Sequence, residues 1–417
     1  MSKKKVVIIG GGFAGINCAK KLKNASLDIT LIDKKNHHLF QPLLYQVATS
    51  TLSAPDIATP LRSLFKKQTN LKVIMGSVVT IDKQEKLIFL ENGESIPFDY
   101  LVIATGTRHS YFGKDEWEEI APGLKTISDA VKIREKILIS FEKAERMEDT
   151  ESQKPYLQFA IIGGGPTGVE MAGAIAELAN KTLKNNFRNI DPSTSKIYLI
   201  EGLDRILPTF PSTLSHKAKE NLSKMGVEVM TQKMVTHIDE EGVHFDGDFI
   251  PSKNIIWAAG NQASPLLKTL STPLDKQGRA IVEQDLSITH FSNIFVIGDA
   301  SCSYDIGKKV LPGIAPVAIQ QGKYIAKILK KDLSTEKRFP FVYFDKGSLA
   351  TIGKNKAVGC FRKWTFSGVF AYFIWAFVHI LYLVSFRNRI AVGLEWVFHY
   401  LNNSRRARLI TKNIDKT

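Results

Sequence analysis

A chain of 417 residues, 44% hydrophobic and 23% charged, is globular and long enough for two or three domains with sizeable cores. Its formal net charge of +15 asks for an anionic partner, yet no nucleic-acid-binding motif occurs and the basic clusters flank apolar sequence at the two ends, which favours a membrane surface over DNA or RNA. Cys18, Cys302 and Cys360 stand far apart without CxxC or metal-ligand spacing, which argues against a disulfide framework and a zinc site and fits a reducing compartment.

Lys3–Lys5 lead into the apolar run Val6–Ile9, then Gly10-Gly11-Gly12-Phe13-Ala14-Gly15, then a helical stretch; a second apolar run, Ile29–Ile32, ends at Asp33. Four apolar residues are too few for a secretory segment, so the start reads as a strand. Strand, glycine turn, helix, strand and acid make the opening βαβ unit of a dinucleotide-binding domain. Gly10 permits the turn, Gly12 removes the side chain that would hold a pyrophosphate off the backbone, and Gly15 lets the helix close on the sheet. The helix start then favours phosphate, and Asp33 is placed to accept from a ribose hydroxyl. From Lys34 to Ala48 runs an apolar loop with aromatics and amides, where a bound cofactor would have its reactive end. Its His37 and His38 are adjacent, so they cannot pair as i, i+4 ligands, and no metal is assigned. Residues 71–103 alternate as short strands, and Tyr100–Ile103 closes on the small-residue turn Ala104-Thr105-Gly106. Residues 128–154 read as a charged amphipathic helix followed by a polar linker, a domain crossing.

The opening pattern then returns. Phe159–Ile162 precedes Gly163-Gly164-Gly165-Pro166-Thr167-Gly168-Val169-Glu170, a helix through Ala179, and a strand Ile197–Ile200 ending at Glu201. Ile255–Trp257 followed by Ala258-Ala259-Gly260 echoes Ala104-Thr105-Gly106. A repeat of turn, acid and downstream strand implies two dinucleotides, and hence hydride transfer between one redox cofactor held permanently and one that exchanges. No arginine directly follows Glu201, Arg205 being the nearest, which favours a free 2′-hydroxyl and NADH over NADPH. Beyond lies Gly298-Asp299-Ala300, where a strand-end carboxylate can accept from a polyol chain or simply cap a helix.

Thr365–Phe386 holds no Asp, Glu, Lys or Arg and eight aromatic residues, between Arg362-Lys363 and Arg387-Asn388-Arg389. Ile390, Leu394, Val397, Phe398 and Leu401 follow at helical spacing, and the tail from Arg387 carries seven Lys or Arg against Glu395 and Asp415. A membrane-embedded interfacial helix pair, a transmembrane helix and a dimerisation hairpin are all compatible with this pattern. Basic flanks on both sides and the aromatic content favour the interfacial pair on anionic lipid.

Taken in order, the two glycine turns, Ala104-Thr105-Gly106, Ala258-Ala259-Gly260 and Gly298-Asp299-Ala300 resemble the two-dinucleotide-binding-domain flavoproteins. More narrowly the chain resembles the type II NADH:quinone dehydrogenases, single-subunit, non-pumping membrane enzymes. That resemblance rests on His38–Ala48, Gly168-Val169-Glu170, Ala315–Gly322 and Gly347–Gly353, and covers nearly the whole chain, the aromatic C-terminal anchor included. It implies an α/β fold of two Rossmann-like domains, for FAD and NADH, with a C-terminal amphipathic, aromatic helical region that anchors to membrane. The corresponding boundaries are 1–119 and 281–345 for FAD, 120–280 for NADH and 346–417 for the anchor. FAD would be held by Gly10, Gly11, Gly12, Phe13, Ala14, Gly15, Asp33, Lys34, the backbone near Val78, Ala104, Thr105, Gly106, Gly298, Asp299 and Ala315. NADH would be held by Gly163, Gly165, Gly168, Glu201, Ala259 and Gly260. Glu170 would assist hydride or proton handling, and Gln320, with Gln321 beside it, would donate to a quinone carbonyl. The family's AQxAxQ motif reads Ala315-Pro316-Val317-Ala318-Ile319-Gln320 here, with Pro316 in place of the first glutamine. The implied partners are NADH, a membrane quinone, an anionic bilayer at the cytoplasmic face of the cell membrane, and a second copy of the chain. A sulfide:quinone reductase working through paired cysteines, and a redox-sensing flavoprotein similar to apoptosis-inducing factor, are the alternatives.

Overall fold

The computed structural model describes residues 3–411, which form two compact units. The first takes in the chain up to Leu39, then 58–108 and 261–346; the second takes in 40–57, 109–260 and the chain from Gly347 onward. In chain order, the elements that place the sites begin with β1 (Lys4–Ile9), α1 (Phe13–Lys21), β2 (Leu27–Asp33), β3 (Leu71–Met75) and β4 (Tyr100–Ile103). Then come α2 (Ile127–Glu145), β5 (Gln158–Ile162), α3 (Pro166–Glu177), β6 (Lys196–Ile200), β7 (Val227–Met230) and β8 (Asn254–Trp257). They are followed by β9 (Ser287–Ile288), β10 (Phe291–Val296), α4 (Ala315–Lys331), β11 (Ser348–Gly353), β12 (Lys356–Phe361), β13 (Trp364–Ser367), α5 (Val369–Tyr382) and α6 (Phe386–Asn402).

The first unit is built on a six-stranded sheet in the order β9-β10-β4-β1-β2-β3, parallel except for the β9–β10 edge. Val6 to Ile9 are all buried because β1 lies mid-sheet with both faces covered, which is why this strand reads as an unbroken apolar run. Ile9 pairs with Ile32 on one side and with Ile103 on the other, and Ile103 with Val296, so the carboxyl ends of four strands stop level. Ligands of open parallel sheets bind at such an edge. Helix α1 buries Ala14, Ile16, Cys18 and Ala19, and Lys20 and Lys21 in its last turn complement the helix dipole.

The second unit repeats the plan with four parallel strands, β7-β6-β5-β8; Ile162 pairs with Ile200 and with Trp257. Helix α2 starts at a capping box, in which the Thr126 hydroxyl accepts from the Asp129 N–H and the Asp129 carboxylate accepts from the Thr126 N–H. The region after Gly347, expected as a separate anchor, belongs to this unit. It opens with an antiparallel sheet, β11-β12-β13, that sequence reading did not mark as strands. Strand β11 lies against α3 where Gly173 presents no side chain, and a Cβ there would run into the Ile352 carbonyl. Gly173→Ala is therefore expected to cost about 1–3 kcal/mol or more, since neither backbone can yield as a side chain does. Chemical denaturation of the purified protein checks this; an unchanged midpoint would mean that β11 is free to move away. Residues 40–57 join the same unit through hydrogen bonds from Asn388 to the Pro55 carbonyl and from Arg405 to the Thr49 carbonyl.

The apolar stretch 365–386 does not form one helix. Thr365, Phe366 and Ser367 are spent on pairing with Cys360, Gly359 and Val358. Gly368 then turns the chain at φ +79°, and α5 has only 14 residues. That is about 21 Å of helix, short of the ~30 Å hydrocarbon core. Among the described residues no helix is long and apolar enough to cross a membrane. Both terminal helices expose apolar rows instead: Phe370, Phe373, Phe377 and Leu381 on α5, and Phe386, Ile390, Leu394, Val397 and Leu401 on α6. Part of the basic tail, from Lys412, lies outside the described residues.

Candidate functional site

The two glycine turns share their geometry and their partners. Gly10 and Gly163 have φ of +108° and +107°, and a side chain on either would strike the strand-end backbone at Ala104 or Ala258. A Cβ on Gly15 would run into the Gly10 carbonyl, and one on Gly168 into the Gly163 carbonyl. Above Gly12 and Gly165 the space is open, with no atom within 4 Å of a Cβ placed there. Neither α1 nor α3 has a side chain capping its start, so each presents its N-terminal turn to that space. The Asp33 carboxylate accepts from the Gly11 N–H at 2.6 Å and from the Lys35 N–H at 2.7 Å. Glu201 accepts from the Gly164 N–H at 2.6 Å and from the Leu203 N–H at 2.8 Å. A carboxylate has about four acceptor positions, so each acid keeps capacity for a ribose hydroxyl.

The repeats differ at one point that sequence reading missed. The Gly164 carbonyl accepts from the Leu207 backbone N–H at 2.7 Å, whereas the Gly11 carbonyl is held by the ring Nδ1 of buried His38 at 3.0 Å. A carbonyl can only accept, so His38 carries its proton on Nδ1 and its Nε2 is a bare acceptor. Burial pushes the imidazole down to about 4, which keeps it neutral in ordinary buffers. The sequence carries the signal as a histidine two residues after the loop's first asparagine, but its spacing does not show that it meets a backbone carbonyl.

The first unit gathers the residues expected to hold FAD. Asp33, Ala104–Gly106 and Gly298-Asp299 follow the level strand ends, and Gly76, at the start of the segment leading to Val78, donates to the Asp33 carbonyl at 2.9 Å. The Thr105 hydroxyl is buried with no hydrogen-bond partner among the described residues. An orphaned polar atom beside an open glycine cradle fits a dinucleotide that would complete it. Lys34 is exposed, and Ala315 starts α4. The two glutamines of α4 are committed within the same unit. Gln320 donates to the Phe344 carbonyl and accepts from the Phe344 N–H, both at 3.0 Å. Fully buried Gln321 accepts from the Gly298 N–H at 2.6 Å and donates to the Ser303 hydroxyl at 2.9 Å. Helix periodicity could place these residues but not show that their amides were already bonded.

Glu170 lies in the second unit, at the head of α3, on a pocket that encloses about 490 Å³ of space, open solvent included. Residues 40–57 contribute Tyr45, Gln46 and Thr51, and the C-terminal region contributes Thr351–Lys354, Tyr372, Trp375, Trp396, His399 and Arg405. Burial raises the Glu170 carboxyl well above the usual carboxylate range, against one opposing hydrogen bond from the Thr351 N–H. Burial, reinforced by the Glu170 charge, likewise raises the Tyr45 phenol. Gln46 donates to the Tyr45 hydroxyl at 2.9 Å and accepts from the Trp396 indole N–H at 2.7 Å. Trp375 stacks on Trp396 with ring centres 5.1 Å apart. The result is a carboxyl group on the wall of an aromatic-lined pocket, held above its usual range by burial.

Two parallel sheets with paired glycine turns and terminal acids define a two-dinucleotide-binding oxidoreductase fold. Residues 4–322 match the pyridine nucleotide-disulphide oxidoreductase family, and residues 346–405 match the NDH2 C-terminal domain. Type II NADH:quinone oxidoreductase Ndh of Mycobacterium tuberculosis is 42% identical over 98% of this chain and 90% of its own length; NdhA of the same organism is 41% identical over 99% and 90%. The solved structure of NDH2 from Plasmodium falciparum in complex with NADH is 23% identical, with a TM-score of 0.88 over 98% of this chain and 100% of that one. The chain belongs to the type II NADH:quinone oxidoreductase family.

Proposed function

We propose that this chain oxidises NADH and delivers two electrons to a membrane quinone without pumping protons. NADH rests on the Gly163–Gly168 turn with its ribose on Glu201, whose charge repels a 2′-phosphate. The Gly10–Gly15 turn, Asp33, Thr105, Asp299 and the start of α4 hold FAD, which supplies the two-electron relay when bound. Tyr45, Trp375 and Trp396 offer flat walls to a quinone ring, and Glu170, kept in its acid form by burial, gives a proton to the quinone oxygen. Gln320 and Gln321 act as positioning residues, the second by holding Gly298 in place beside Asp299. The observation that carries this reading is the cavity joining Glu170 to the aromatic side chains of the C-terminal helices.

The exposed rows of α5 and α6 sink into an anionic bilayer at its cytoplasmic, NADH-containing side, with exposed Arg387, Arg406 and Arg408 over the headgroups. Protein purified from membranes is expected to be yellow, to bleach on anaerobic mixing with NADH and to recover its colour when quinone is added. Bleaching by sulfide alone would assign it to sulfide oxidation instead, and NADH oxidation indifferent to quinone would mark a redox sensor.

A further inference from the structure

The two glycine turns are packed alike. A Cβ on Gly11 would meet the Leu61 methyl groups and the Asp33 carboxylate, and one on Gly164 would meet an Ile206 methyl group and Glu201. What differs is the donor on the carbonyl of that middle glycine. In the second turn it is a backbone N–H, that of Leu207. In the first it is a side chain, the Nδ1–H of His38.

A trans peptide points its C=O and its N–H in opposite directions. No peptide among the described residues is cis, so the donor that holds the Gly11 carbonyl also fixes where the Gly12 N–H faces. Gly12 immediately precedes α1, and its own carbonyl accepts from the Ile16 N–H at 3.0 Å. The peptide held by His38 therefore leads straight into the uncapped helix start that favours phosphate. With glycine on both sides, that peptide turns freely unless something holds it. The imidazole is well placed to do so. Strand His37–Leu39 pairs antiparallel with Ala58–Pro60, His38 opposite Thr59, and beyond the ladder the Leu61 N–H donates to the Asn36 carbonyl at 2.8 Å. The rings of His38 and of Phe13, the first residue of α1, meet at 86° with their centres 5.1 Å apart. His38 is 2% exposed, and its Nε2 has no hydrogen-bond partner among the described residues, so the bond that orients the ring is the one to Gly11.

We propose that His38 is a positioning residue for FAD: its Nδ1–H locks the Gly11–Gly12 peptide with the start of α1 open to the pyrophosphate, so that retention of FAD depends on this side chain and binding of NADH does not. The inference rests on the first turn being the FAD site, as proposed above. It gives the resident cofactor and the exchanging one different holds on otherwise matching turns.

The test compares wild type, His38→Asn and His38→Leu, each freed of FAD and titrated with it, binding being read by quenching of flavin fluorescence. In His38→Asn an amide N–H stands where the Nδ1–H stood; His38→Leu has nearly the same shape as that variant and no donor. His38→Leu is expected to bind FAD at least about tenfold more weakly than wild type, the effect of leaving a buried carbonyl unbonded, and His38→Asn to recover most of that loss. With FAD in excess, His38→Leu should show the wild-type KM for NADH, because Leu207 holds the second turn. Circular dichroism of the FAD-free proteins checks folding; if His38→Leu does not fold, His38→Gln, whose amide reaches the place of Nε2 instead, is compared in its stead. Gly12→Val separates the two assignments, since its side chain enters the open space above the turn. If Gly12→Val binds FAD as wild type does, the first turn is not the FAD site and that reading fails first. If Gly12→Val loses FAD while His38→Leu holds it as tightly as wild type, the FAD site stands and the role of His38 falls. A His38→Asn as weak as His38→Leu, or an NADH KM raised by the same factor, would make the imidazole a packing residue and overturn the inference.

Discussion

Glu170→Gln is expected to lower quinone-dependent turnover by about 10²–10⁴-fold, the usual worth of a positioned general acid. Glutamine keeps the shape of the residue and can still meet the Thr351 N–H, so the substitution removes the proton and little else. The pH profile separates this from a packing effect. Burial holds the carboxyl well above its usual value, so wild-type turnover should fall as pH rises through that raised value, and the variant should lose this alkaline limb. Stability carries the same signature with a definite sign. From the ordinary carboxylate value of 4.5 up to the raised value, the folded state holds a proton that the unfolded state has released, so wild-type stability declines with rising pH across that window. Glu170→Gln has no such term and should be the more stable protein at neutral pH, with the difference closing as pH falls towards 4.5. Urea midpoints at several pH values read this directly. A variant that turns over normally, or that keeps the alkaline limb, would remove Glu170 from the reaction.

The second large effect is expected at the membrane. Phe373 and Phe377 on α5 are 55% and 64% exposed, so changing both to Asp touches no core. Each buried phenylalanine is worth about 2 kcal/mol, and losing two should weaken vesicle binding by about 4 kcal/mol, or roughly 10³-fold. Flotation with vesicles containing anionic lipid measures it, with an unchanged thermal melt showing that the fold survives. Salt separates the contributions: at 1 M the screening length is about 3 Å, so the arginine part should vanish while the apolar part remains. A double variant that still floats would assign membrane contact elsewhere. Wild-type protein that ignores vesicles and stays a stable dimer in solution would give the exposed rows to a second copy of the chain.

Much of this was legible in order along the chain. Gly10–Gly15 with Asp33, and Gly163–Gly168 with Glu201, obey rules that act over a few residues: a positive φ only glycine accepts cheaply, a helix start without a cap, an acid closing a neighbouring parallel strand. Their repetition carried the two-site reading. In the C-terminal stretch the basic flanks and aromatic content favoured interfacial helices over a span; what hydropathy could not see was a strand pairing. Thr365–Ser367 satisfy their backbone on β12, and that competition left α5 too short to span a membrane. For Gln320 and Gln321 the spacing could not show that part of each amide is already bonded, to Phe344 and to Gly298 and Ser303.

The sequence by itself determined the two nucleotide turns, their acids and the apolar, basic character of the terminus, because each depends on local backbone geometry or on composition. Only the tertiary structure decided what surrounds Glu170. Tyr45 and Gln46 come from the loop after the first βαβ unit, Thr351 from the C-terminal sheet, and Arg405 from the tail, where it bonds to Thr49 across 356 residues of sequence. The raised pKa of Glu170 arises from its desolvation among these segments, and no spacing along the chain encodes that.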